Sequence, residues 1–401
     1  MVDYIIVGNG VAGNSAAESI RKSDPQGKIT MFTREAYHFY YVPALSEFLS
    51  GEKQVKDFTI HNENWYEKNR IDLHLRTEVC EILAPERTVV TKSGDRFRYD
   101  KLLLACGGNS FVPPIPGSGC AGIFTLRSIA DAVAIQERAK QCGKAVVIGG
   151  GLLGLEAGNG LRKMGLEVSV VEFFPRLLPR QTDAVAAGIL QSQMEGMGFH
   201  FYLGAKTREI VPEKNGLWVC LEVEQKLFAE IVLISAGVRP ELALKRSLNL
   251  KIDKGLQVDD GMRTGIQDIY AAGDLVEHRG RFYGIWPAAM EQGRVAGANM
   301  AGKETEYRGT MPSNSLKVLG IDLLAAGEID AEGRMESIVT RNQAKRTYRK
   351  LVLNDRVIIG AILLGNMHGK DEIQTAIRTQ KNISSLKGDL ADEAFDFSRL
   401  K

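Results

Sequence analysis

The sequence predicts an α/β fold with two Rossmann-like, doubly wound domains and a small α+β domain at the C-terminal end. Residues 5–13, IIVGNGVAG, place a Gly-x-Gly-x-x-Gly cluster directly after a short apolar run, and residues 146–154, VVIGGGLLG, repeat the pattern. Beyond residue 310 the chain changes to strand-like alternation, as in SLKVLGIDLLAAGEI and RTYRKLVLNDRVIIGAILLG. With 401 residues the chain is long enough for two or three domains.

The first glycine cluster belongs to a complete strand–loop–helix–strand unit. DYIIV is the first strand, Gly8, Gly10 and Gly13 follow it, AGNSAAESIRKS is compatible with a helix, and KITMFT is the second strand. In such a unit the glycines let the backbone turn tightly and approach a diphosphate that faces the helix N-terminus. The alternative is a set of tight turns that bind nothing, but this leaves the helix N–H groups uncompensated.

The second cluster, Gly149, Gly151 and Gly154, follows the strand KAVVI and precedes a helix and the strand LEVSVVE. Glu172 ends that strand, 21 residues after Gly151. A carboxylate at this position accepts hydrogen bonds from both adenosine ribose hydroxyls and repels a 2′-phosphate, which favours NADH over NADPH. Two complete cradles in one chain indicate two bound dinucleotides.

The sequence leaves two polar contacts open. Aligned strand against strand, the first unit places Thr33 where the second has Glu172, with Glu35 two residues later, so its ribose contact is less defined. A third element, IYAAGDLVE at 269–277, predicts a strand followed by a helix-like segment that Asp274 opens. Asp274 is interpreted either as an acceptor for a hydroxylated chain such as a ribityl or as a helix N-cap.

Composition and charge exclude several function classes. The 51 Lys and Arg against 49 Asp and Glu give a net charge of +2, which provides no global attraction for nucleic acid or an anionic membrane. No apolar run of about 18 residues predicts a membrane span, and the strand DYIIV starts too early for an export leader. Five widely spaced cysteines and six scattered histidines predict a reducing, cytoplasmic location and no metal site.

Together with LLLACGGNSFVPPIPG and LISAGVRPEL, these motifs resemble the FAD-dependent pyridine nucleotide-disulfide oxidoreductase superfamily. Within it the chain is most similar to the NADH:rubredoxin reductase and nitrite reductase flavoprotein branch, over nearly its whole length. The resemblance implies that the first cradle holds FAD and the second NADH, with the NAD domain inserted into the FAD domain. The implied boundaries are 1–112 and 238–310 for the FAD domain, 113–237 for the NAD domain and 311–401 for a C-terminal interface domain.

The resemblance also implies contacts around the flavin. Val79 would meet the adenine through its backbone, Ala105 to Gly107 would pass beside the cofactor, and WPAAMEQG at 286–293 would approach the pyrimidine side. Asp274 would bind the ribityl or pyrophosphate region. The cofactor-binding residues expected from the cradles and the resemblance together are Gly8, Gly10, Ala12, Gly13, Thr33, Glu35, Val79, Ala105, Gly107, Asp274, Ala288, Gly149, Gly151, Leu153, Gly154, Glu172 and Gly237.

Thiol chemistry is disfavoured. Many relatives carry redox-active cysteines on the first helix after the second FAD strand, but here that stretch is YYVPALSEFLSG and holds none. Cys106 replaces the Thr that is usual in the family's Ala-Thr-Gly turn. It is interpreted as a buried thiol in place of a small hydroxyl, since the reactive alternative wants a cationic neighbour and the local sequence offers none.

Glu156 and Glu47 are the candidate catalytic residues. In relatives the position of Glu156 lies near the nicotinamide, and several pair it with a Lys from a Leu-Ser-Lys turn, which here is Leu45, Ser46, Glu47. If both carboxylates face the flavin, one should have a raised pKa and could hold a proton. Alternatively, Glu47 is a solvated helix residue. The family's Arg in the Tyr-x-Arg segment is Val42 here, so its phosphate contact must come from elsewhere.

Two C-terminal features remain open in the sequence. Five basic residues crowd ten positions beside the last predicted hairpin, either as a solvated face or as a dock for an acidic electron carrier such as rubredoxin. The final stretch, DLADEAFDFSRLK, is either a frayed tail or a helix that clasps another surface. The basic residues are Arg341, Lys345, Arg346, Arg349 and Lys350.

The function expected from these features is an FAD-dependent oxidoreductase that passes electrons from NADH to a small redox protein, rubredoxin first. FAD and NAD are the expected cofactors, because a flavin accepts a hydride pair and can release electrons singly. The alternatives are the electron-input flavoprotein of a nitrite reductase or oxygenase system, and a flavin redox sensor that does not turn over. The sequence does not decide between a monomer and a homodimer.

Overall fold

The computed structural model describes residues 1–244, 248, 250–311 and 313–400, and for Ser313–Val318 it describes the backbone alone. These residues form two compact units. Unit 1 comprises Met1–Ala44, Lys53–Ser110 and Val238–Thr310, and unit 2 comprises Leu45–Glu52, Phe111–Gly237 and Met311–Lys401. The finer boundaries expected from the sequence, with separate NAD-binding and C-terminal domains, stay a prediction.

Nine α-helices lie in the described part of the chain, and none of them has both the length and the apolar character needed to cross a membrane. Short 3-10 turns occur at Val42–Ala44, Ala84–Glu86, Asp389–Ala391 and Phe397–Leu400. The helices are α1 (Val11–Ser23), α2 (Leu45–Leu49), α3 (Val55–Phe58), α4 (Glu63–Lys68), α5 (Ile129–Ala139), α6 (Leu152–Lys163), α7 (Ala184–Glu195), α8 (Trp286–Met300) and α9 (Lys370–Thr379).

The strands form two parallel sheets, one larger antiparallel sheet and several small ones. In chain order they are β1 (Asp3–Val7), β2 (Lys28–Phe32), β3 (Ile71–His74), β4 (Val79–Leu83), β5 (Thr88–Thr91), β6 (Arg96–Arg98), β7 (Lys101–Leu104), β8 (Gly108–Ser110), β9 (Ile123–Phe124), β10 (Lys144–Ile148), β11 (Glu167–Glu172), β12 (Phe199–Leu203), β13 (Thr207–Glu213), β14 (Gly216–Leu221), β15 (Lys226–Ala229), β16 (Ile231–Ile234), β17 (Val238–Pro240), β18 (Leu256–Val258), β19 (Ile269–Ala271), β20 (Val276–His278), β21 (Ser313–Val318), β22 (Ile321–Gly327), β23 (Ser337–Asn342), β24 (Thr347–Asn354) and β25 (Val357–Leu364).

Unit 1 is built on a parallel sheet in the order β3-β2-β1-β7-β19. Strand β1 is buried from Tyr4 to Val7, as expected for a central parallel strand that is covered on both faces. Helix α8 packs tightly against α1, because a Cβ atom at Gly293 would lie only 2.2 Å from the carbonyl oxygen of Ala12. This contact holds the first turn of α1 in place beside the sheet.

Unit 2 contains a second parallel sheet, in the order β12-β11-β10-β16-β9. In both sheets the strand that precedes the glycine cluster lies between the next strand of its unit and a later strand. These neighbours are β2 and β7 around β1, and β11 and β16 around β10. Such a reversal of strand order opens a crevice at the carboxyl edge of the sheet. The prediction of two Rossmann-like folds in one chain is confirmed.

The C-terminal part of unit 2 is an antiparallel sheet in the order β21-β22-β25-β24-β23, as the alternating sequence predicts. Helix α9 packs on one of its faces together with the last residues of the chain. The side chains of Leu390, Phe395, Phe397 and Leu400 are buried there. The tail is therefore packed, although it forms 3-10 turns and not the α-helix that was one alternative.

A buried ion network connects the C-terminal sheet to the start of α7 within unit 2. The Nζ atom of Lys350 lies 3.6 Å from Asp183 Oδ2 and 3.8 Å from Asp330 Oδ2, and its side chain is only 4% exposed. The hydroxyl of Tyr348 donates to the same Asp183 oxygen at 2.6 Å. Asp183 also caps α7 by accepting from the backbone N–H of Ala186. Lys350 thus neutralises charge inside unit 2.

Replacing Lys350 with Met should destabilise unit 2, because the change leaves the Asp183 carboxylate buried without its cation. Breaking a buried ion pair in this way costs about 3–5 kcal/mol. Chemical denaturation followed by circular dichroism should show a lower midpoint for K350M. The same substitution at exposed Lys345 is the matched control, and equal midpoints for the two variants would contradict the structural role of Lys350.

Candidate functional site

The first cradle depends on two glycines that no other residue can replace without a clash. Gly8 has φ of +123°, and a Cβ atom there would lie 2.1 Å from the carbonyl oxygen of Ala105. A Cβ atom at Gly13 would lie 2.0 Å from Gly8 O. The N–H of Gly8 donates to Phe32 O at 2.9 Å, which ties the loop to the end of β2. The first turn of α1 is therefore pressed against the end of β1.

The second cradle repeats these contacts. Gly149 has φ of +119°, its Cβ atom would lie 2.2 Å from Ser235 O, and its N–H donates to Val171 O at 2.8 Å. A Cβ atom at Gly154 would lie 2.2 Å from Gly149 O. Because the same pair of close approaches occurs on β10 and α6, the two cradles have the same local backbone.

The middle glycine of each cradle is not required by packing within the protein. Gly10 and Gly151 are the N-cap residues of α1 and α6, with ordinary φ values of −84° and −78°. A Cβ atom at either position would meet nothing within 4 Å in the protein. The fold alone does not require glycine there, whereas close approach of a diphosphate to the helix N–H groups does. Both cradles therefore fit a dinucleotide.

The ends of the second strands differ in charge, as the sequence indicates. The registers pair Val7 with Phe32 and Ile148 with Val171, so Thr33 and Glu172 occupy equivalent positions. The carboxylate of Glu172 is 6% exposed and accepts the N–H of Gly150 at 2.6 Å and that of Phe174 at 2.8 Å. These bonds fix the carboxylate beside the second cradle.

At the equivalent position the first cradle has Thr33, which carries no charge, and Glu35 lies two residues later. The N–H of Glu35 donates to Thr33 Oγ1 at 3.2 Å, and Tyr40 donates its hydroxyl to Glu35 Oε2 at 2.7 Å. Thr33 lies directly after β2, with its N–H bonded to His74 O. Both residues lie at the carboxyl edge of the sheet, and their roles toward a ribose stay a prediction.

Most of the other expected flavin residues in unit 1 lie at this edge as well. Ala105 and Gly107 follow β7, Asp274 follows β19, and Ala288 is buried in the first turn of α8. Val79 differs, because it begins β4 in the separate sheet β4-β5-β6. In unit 2, Leu153 is in the first turn of α6 and Gly237 follows β16 with φ of +105°.

One sequence-based expectation for Asp274 is wrong. No helix begins there, because residues 276–278 form strand β20, which pairs with β18. The neighbouring side chains Leu275 and Val276 are buried, which favours a strand in the core over a helix at the surface. The helix N-cap interpretation is therefore excluded, while the acceptor role of Asp274 stays a prediction.

A polar network that the sequence did not reveal holds the first cradle. Asn14 in α1 donates to Gly10 O at 3.0 Å and to Asn9 Oδ1 at 2.9 Å. The hydroxyl of Tyr66, from α4, donates to Asn9 Oδ1 at 2.8 Å and also lies 2.9 Å from Asn14 Oδ1. Burial raises the pKa of Tyr66 above its usual range. The sequence gives one sign of this network, because Asn9 lies between Gly8 and Gly10.

Cys106 is a poor candidate for thiol chemistry. Its Sγ donates to Val7 O at 3.6 Å beside β1. Burial, and to a smaller extent the charge of Glu241, raises the pKa of the thiol to about 12. A thiol with this pKa is protonated at neutral pH and is a weak nucleophile. The structure supports an unreactive thiol, on a residue that is partly and not fully buried.

Glu156 and Glu47, the candidate catalytic residues, are neighbours within unit 2. Glu156 lies one turn into α6 and Glu47 in the first turn of α2, and Ser46 Oγ lies 3.5 Å from Glu156 Oε2. Burial and the charge of Glu47 raise the pKa of Glu156 to about 7, against a smaller opposing effect of the Ser46 hydrogen bond. Glu47 is partly buried, so it is not a fully solvated residue.

Comparison with known families decides the assignment. A family model described as pyridine nucleotide-disulphide oxidoreductase matches residues 2–293. The chain belongs to this family. A second model, described as the rubredoxin NAD+ reductase C-terminal domain, matches residues 312–381, which contain the antiparallel sheet. The resemblance inferred from the sequence is confirmed, and membership implies binding of FAD and NAD(P)H.

Several known members are similar along most of this chain. A nitrite reductase (NAD(P)H) from Bacillus subtilis is 35% identical over 382 residues, which cover 95% of this chain and 48% of that protein. The NADH-rubredoxin oxidoreductase of Clostridium acetobutylicum is 32% identical over 387 residues, which cover 95% of this chain and 97% of that protein. This chain spans about half the length of some relatives, such as the nitrite reductase.

Solved structures agree with the fold. The crystal structure of NADH:rubredoxin oxidoreductase from Clostridium acetobutylicum superposes with a TM-score of 0.81 at 30% identity, covering 97% of this chain and 99% of that chain. The ferredoxin reductase of the CYP199A2 system from Rhodopseudomonas palustris gives a TM-score of 0.90 at 23% identity, which supports the fold alone.

No group of three or more His, Cys, Asp or Glu in the described residues could hold a metal ion.

Gly10 and Gly151 are the cradle glycines at which a Cβ atom would meet nothing in the protein. Alanine at each of them should weaken the binding of a different nucleotide. G10A should lose FAD and G151A should lose NADH binding, because a methyl group would displace the diphosphate from the helix N–H groups. Losing one charged hydrogen bond costs about 2 kcal/mol, or about thirtyfold in affinity. Flavin absorbance of the purified protein and calorimetric titration with NADH measure the two effects.

The matched control for both variants is G188A, at a helical glycine of α7 where a Cβ atom also meets nothing within 4 Å. Alanine should retain both nucleotides there and should stabilise the helix by about 0.5–1 kcal/mol. Full flavin content in G10A, with its melting temperature unchanged, would refute the diphosphate assignment for the first cradle.

Proposed function

We propose that this chain is an FAD-dependent oxidoreductase that passes electrons from NADH to a small redox protein, with a rubredoxin as the first candidate. The observation that carries the proposal is the pair of open cradles, each of which leaves room for a diphosphate at a helix N-terminus. The match of residues 312–381 to a rubredoxin reductase C-terminal domain supports the choice of acceptor. The similar Clostridium protein is named for the same pair of substrates.

The protein's own part in this reaction is binding and orientation. The flavin supplies the step from a hydride pair to single electrons, which suits a one-electron iron acceptor. We propose no thiol relay, because residues 40–51 contain no cysteine and the Cys106 thiol is protonated at neutral pH. The cradles fix the two diphosphates, and the residues at the strand ends select the adenosines.

NADH is the proposed donor because of Glu172. Its carboxylate is held by two backbone N–H groups and can still accept hydrogen bonds from ribose hydroxyls, since each carboxylate oxygen has a second lone pair. A 2′-phosphate at the same place would meet a fixed negative charge. This arrangement favours NADH over NADPH.

Replacing Glu172 with Ala should weaken NADH binding by about 1–2 kcal/mol, the scale of a lost charged hydrogen bond, or about five- to thirtyfold. The affinity for NADPH should change less, so the preference for NADH over NADPH should become smaller. Calorimetric titration with each nucleotide measures this. Glu167, exposed at the other end of β11 and paired with Lys144, provides the control E167A. Equal losses for both nucleotides would remove Glu172 from the selection of the donor.

A second candidate function rests on the nitrite reductase relatives. The Bacillus subtilis protein is 35% identical to this chain, about as similar as the rubredoxin reductase, but it is about twice as long as the matched region. The chain would then be the electron-input flavoprotein of a nitrite reductase system. Relative turnover with purified rubredoxin, with a ferredoxin and with a nitrite-reducing partner separates these candidates.

The basic run near the last hairpin is only partly available to such an acceptor. Lys350 is buried, and Arg349 donates to Leu390 O at 2.9 Å and lies 5.1 Å from the ring of Phe397. Three residues at the β23–β24 hairpin remain exposed, and Lys345 has a carboxylate of Glu393 at 3.9 Å. The exposed residues are Arg341, Lys345 and Arg346.

Changing these three residues to Gln should slow reduction of an acidic rubredoxin by about tenfold at low salt, because electrostatic steering is lost. The rate should also depend less on ionic strength. NADH oxidation with ferricyanide should stay unchanged. The matched control replaces three exposed lysines elsewhere with Gln, and an equal effect in the control would reject the docking role. The control residues are Lys206, Lys214 and Lys226.

A further inference from the structure

Helix α2 is fastened along one face of α6. The contacts on α6 lie at positions 156, 160 and 163, which share a helix face. A Cβ atom at Gly160 would lie 3.3 Å from the side chain of Leu49, so the two helices pack with little space between them. The pairs are Ser46 with Glu156, Leu49 with Gly160, and Glu52 with Lys163.

Gln136 binds the C-terminal end of α2. Its Nε2 donates to Phe48 O at 2.7 Å and to Leu49 O at 3.2 Å. A five-residue helix leaves its last carbonyls without intrahelical donors, so a side-chain amide from α5 replaces them. Gln136 therefore fastens α2, the helix that carries Glu47, to α5.

The two carboxyl groups on these helices repel one another. Among the side chains that the structure describes, Glu47 is the charged group that acts on Glu156. The charge of Glu52, three residues beyond the end of α2, is offset by Lys163, and Arg162 bonds Asn159 on its own helix. The side chains of Ser313–Val318, whose backbone also packs on α6, lie outside the described part. Two ionised carboxylates in partly buried positions cost free energy that one proton removes.

We propose that Glu156 holds a proton near neutral pH beside the charge of Glu47, that NADH binding at α6 favours this protonated state, and that Gln136 is the positioning residue that keeps α2 and Glu47 in place. The statement about NADH rests on the function proposed above. The proton and the role of Gln136 do not, because all the residues involved lie within unit 2.

The sign of the pH dependence follows from charge. A dinucleotide diphosphate at the N-terminus of α6 adds negative potential near Glu156, which favours the protonated pair. By thermodynamic reciprocity, a proton that NADH helps to bind must in turn help NADH to bind. Affinity for NADH should therefore fall as pH rises through about 7, the pKa of Glu156. The negative charge that Glu156 gains on losing its proton should lower the affinity for NADH on the order of fivefold.

Infrared difference spectroscopy tests the proton directly. The carboxyl C=O band of protonated Glu156 should be present at pH 6, be absent in E156Q, and disappear with a midpoint near pH 7. E47Q should lower the midpoint without restoring an ordinary glutamate value, since burial remains. A midpoint at ordinary glutamate values in the wild type, or one that E47Q leaves unchanged, would overturn the proposed proton on Glu156.

The role of Gln136 is tested in the same titration. Q136L removes the amide donor, so α2 should loosen and the infrared midpoint should fall toward that of E47Q. Q191L is the matched control, because Gln191 on α7 bonds exposed Glu195, and its midpoint should equal the wild-type value. If Q136L keeps the wild-type midpoint while α2 is intact by hydrogen exchange, the positioning role is refuted.

Calorimetric titration with NADH between pH 6 and pH 8.5 tests the coupling. The wild type should lose affinity on the order of fivefold over this range, whereas E156Q should show no such loss. A flat wild-type profile would overturn the coupling alone. Failure to bind NADH at any pH would refute the proposed donor, and the infrared result on the proton would still stand or fall by itself.

Discussion

Both nucleotide cradles depend on backbone contacts that leave no room for a Cβ atom. Gly13 packs on the carbonyl of Gly8, and Gly154 on that of Gly149, so that a single methyl group at either position would separate helix from strand. These contacts aim the N-terminal N–H groups of α1 and α6 beyond the carboxyl edge of each sheet. The partial positive charge of a helix N-terminus then acts where a diphosphate can lie.

The two cradles share this backbone but are stabilised by different side chains. In the second, the Glu172 carboxylate accepts two backbone N–H groups and places a negative charge at the end of β11. In the first, the equivalent residue is Thr33, and the order of the loop comes from Tyr66 and the two asparagines that it contacts. The first cradle is thus held by a neutral network, whereas a buried carboxylate helps to hold the second.

Local signals in the sequence were sufficient for the cradles and for the C-terminal sheet, because glycine spacing and apolar alternation act between near neighbours. Contacts between distant residues were not predictable in this way. Gln136 bonds a carbonyl 88 residues away, and no pattern around it indicates that bond. The segment after Asp274 was expected to be helical, but pairing with β18 makes it a strand. Lys350 belonged to an apparent surface run, yet strand alternation turns it inward against Asp183.

The carboxyl pair shows how one departure from the family pattern can be compensated. The resemblance drawn from the sequence implies a Lys opposite the position of Glu156 in several relatives, where an ammonium would offset one negative charge. Here the charge of Glu47, together with burial, raises the pKa of Glu156 to about 7, and under our proposal a proton on Glu156 offsets that charge. An ammonium is a constant part of the protein, whereas a proton near pKa 7 is exchanged with the solvent. Under this proposal the charge beside the α6 cradle depends on the surrounding pH.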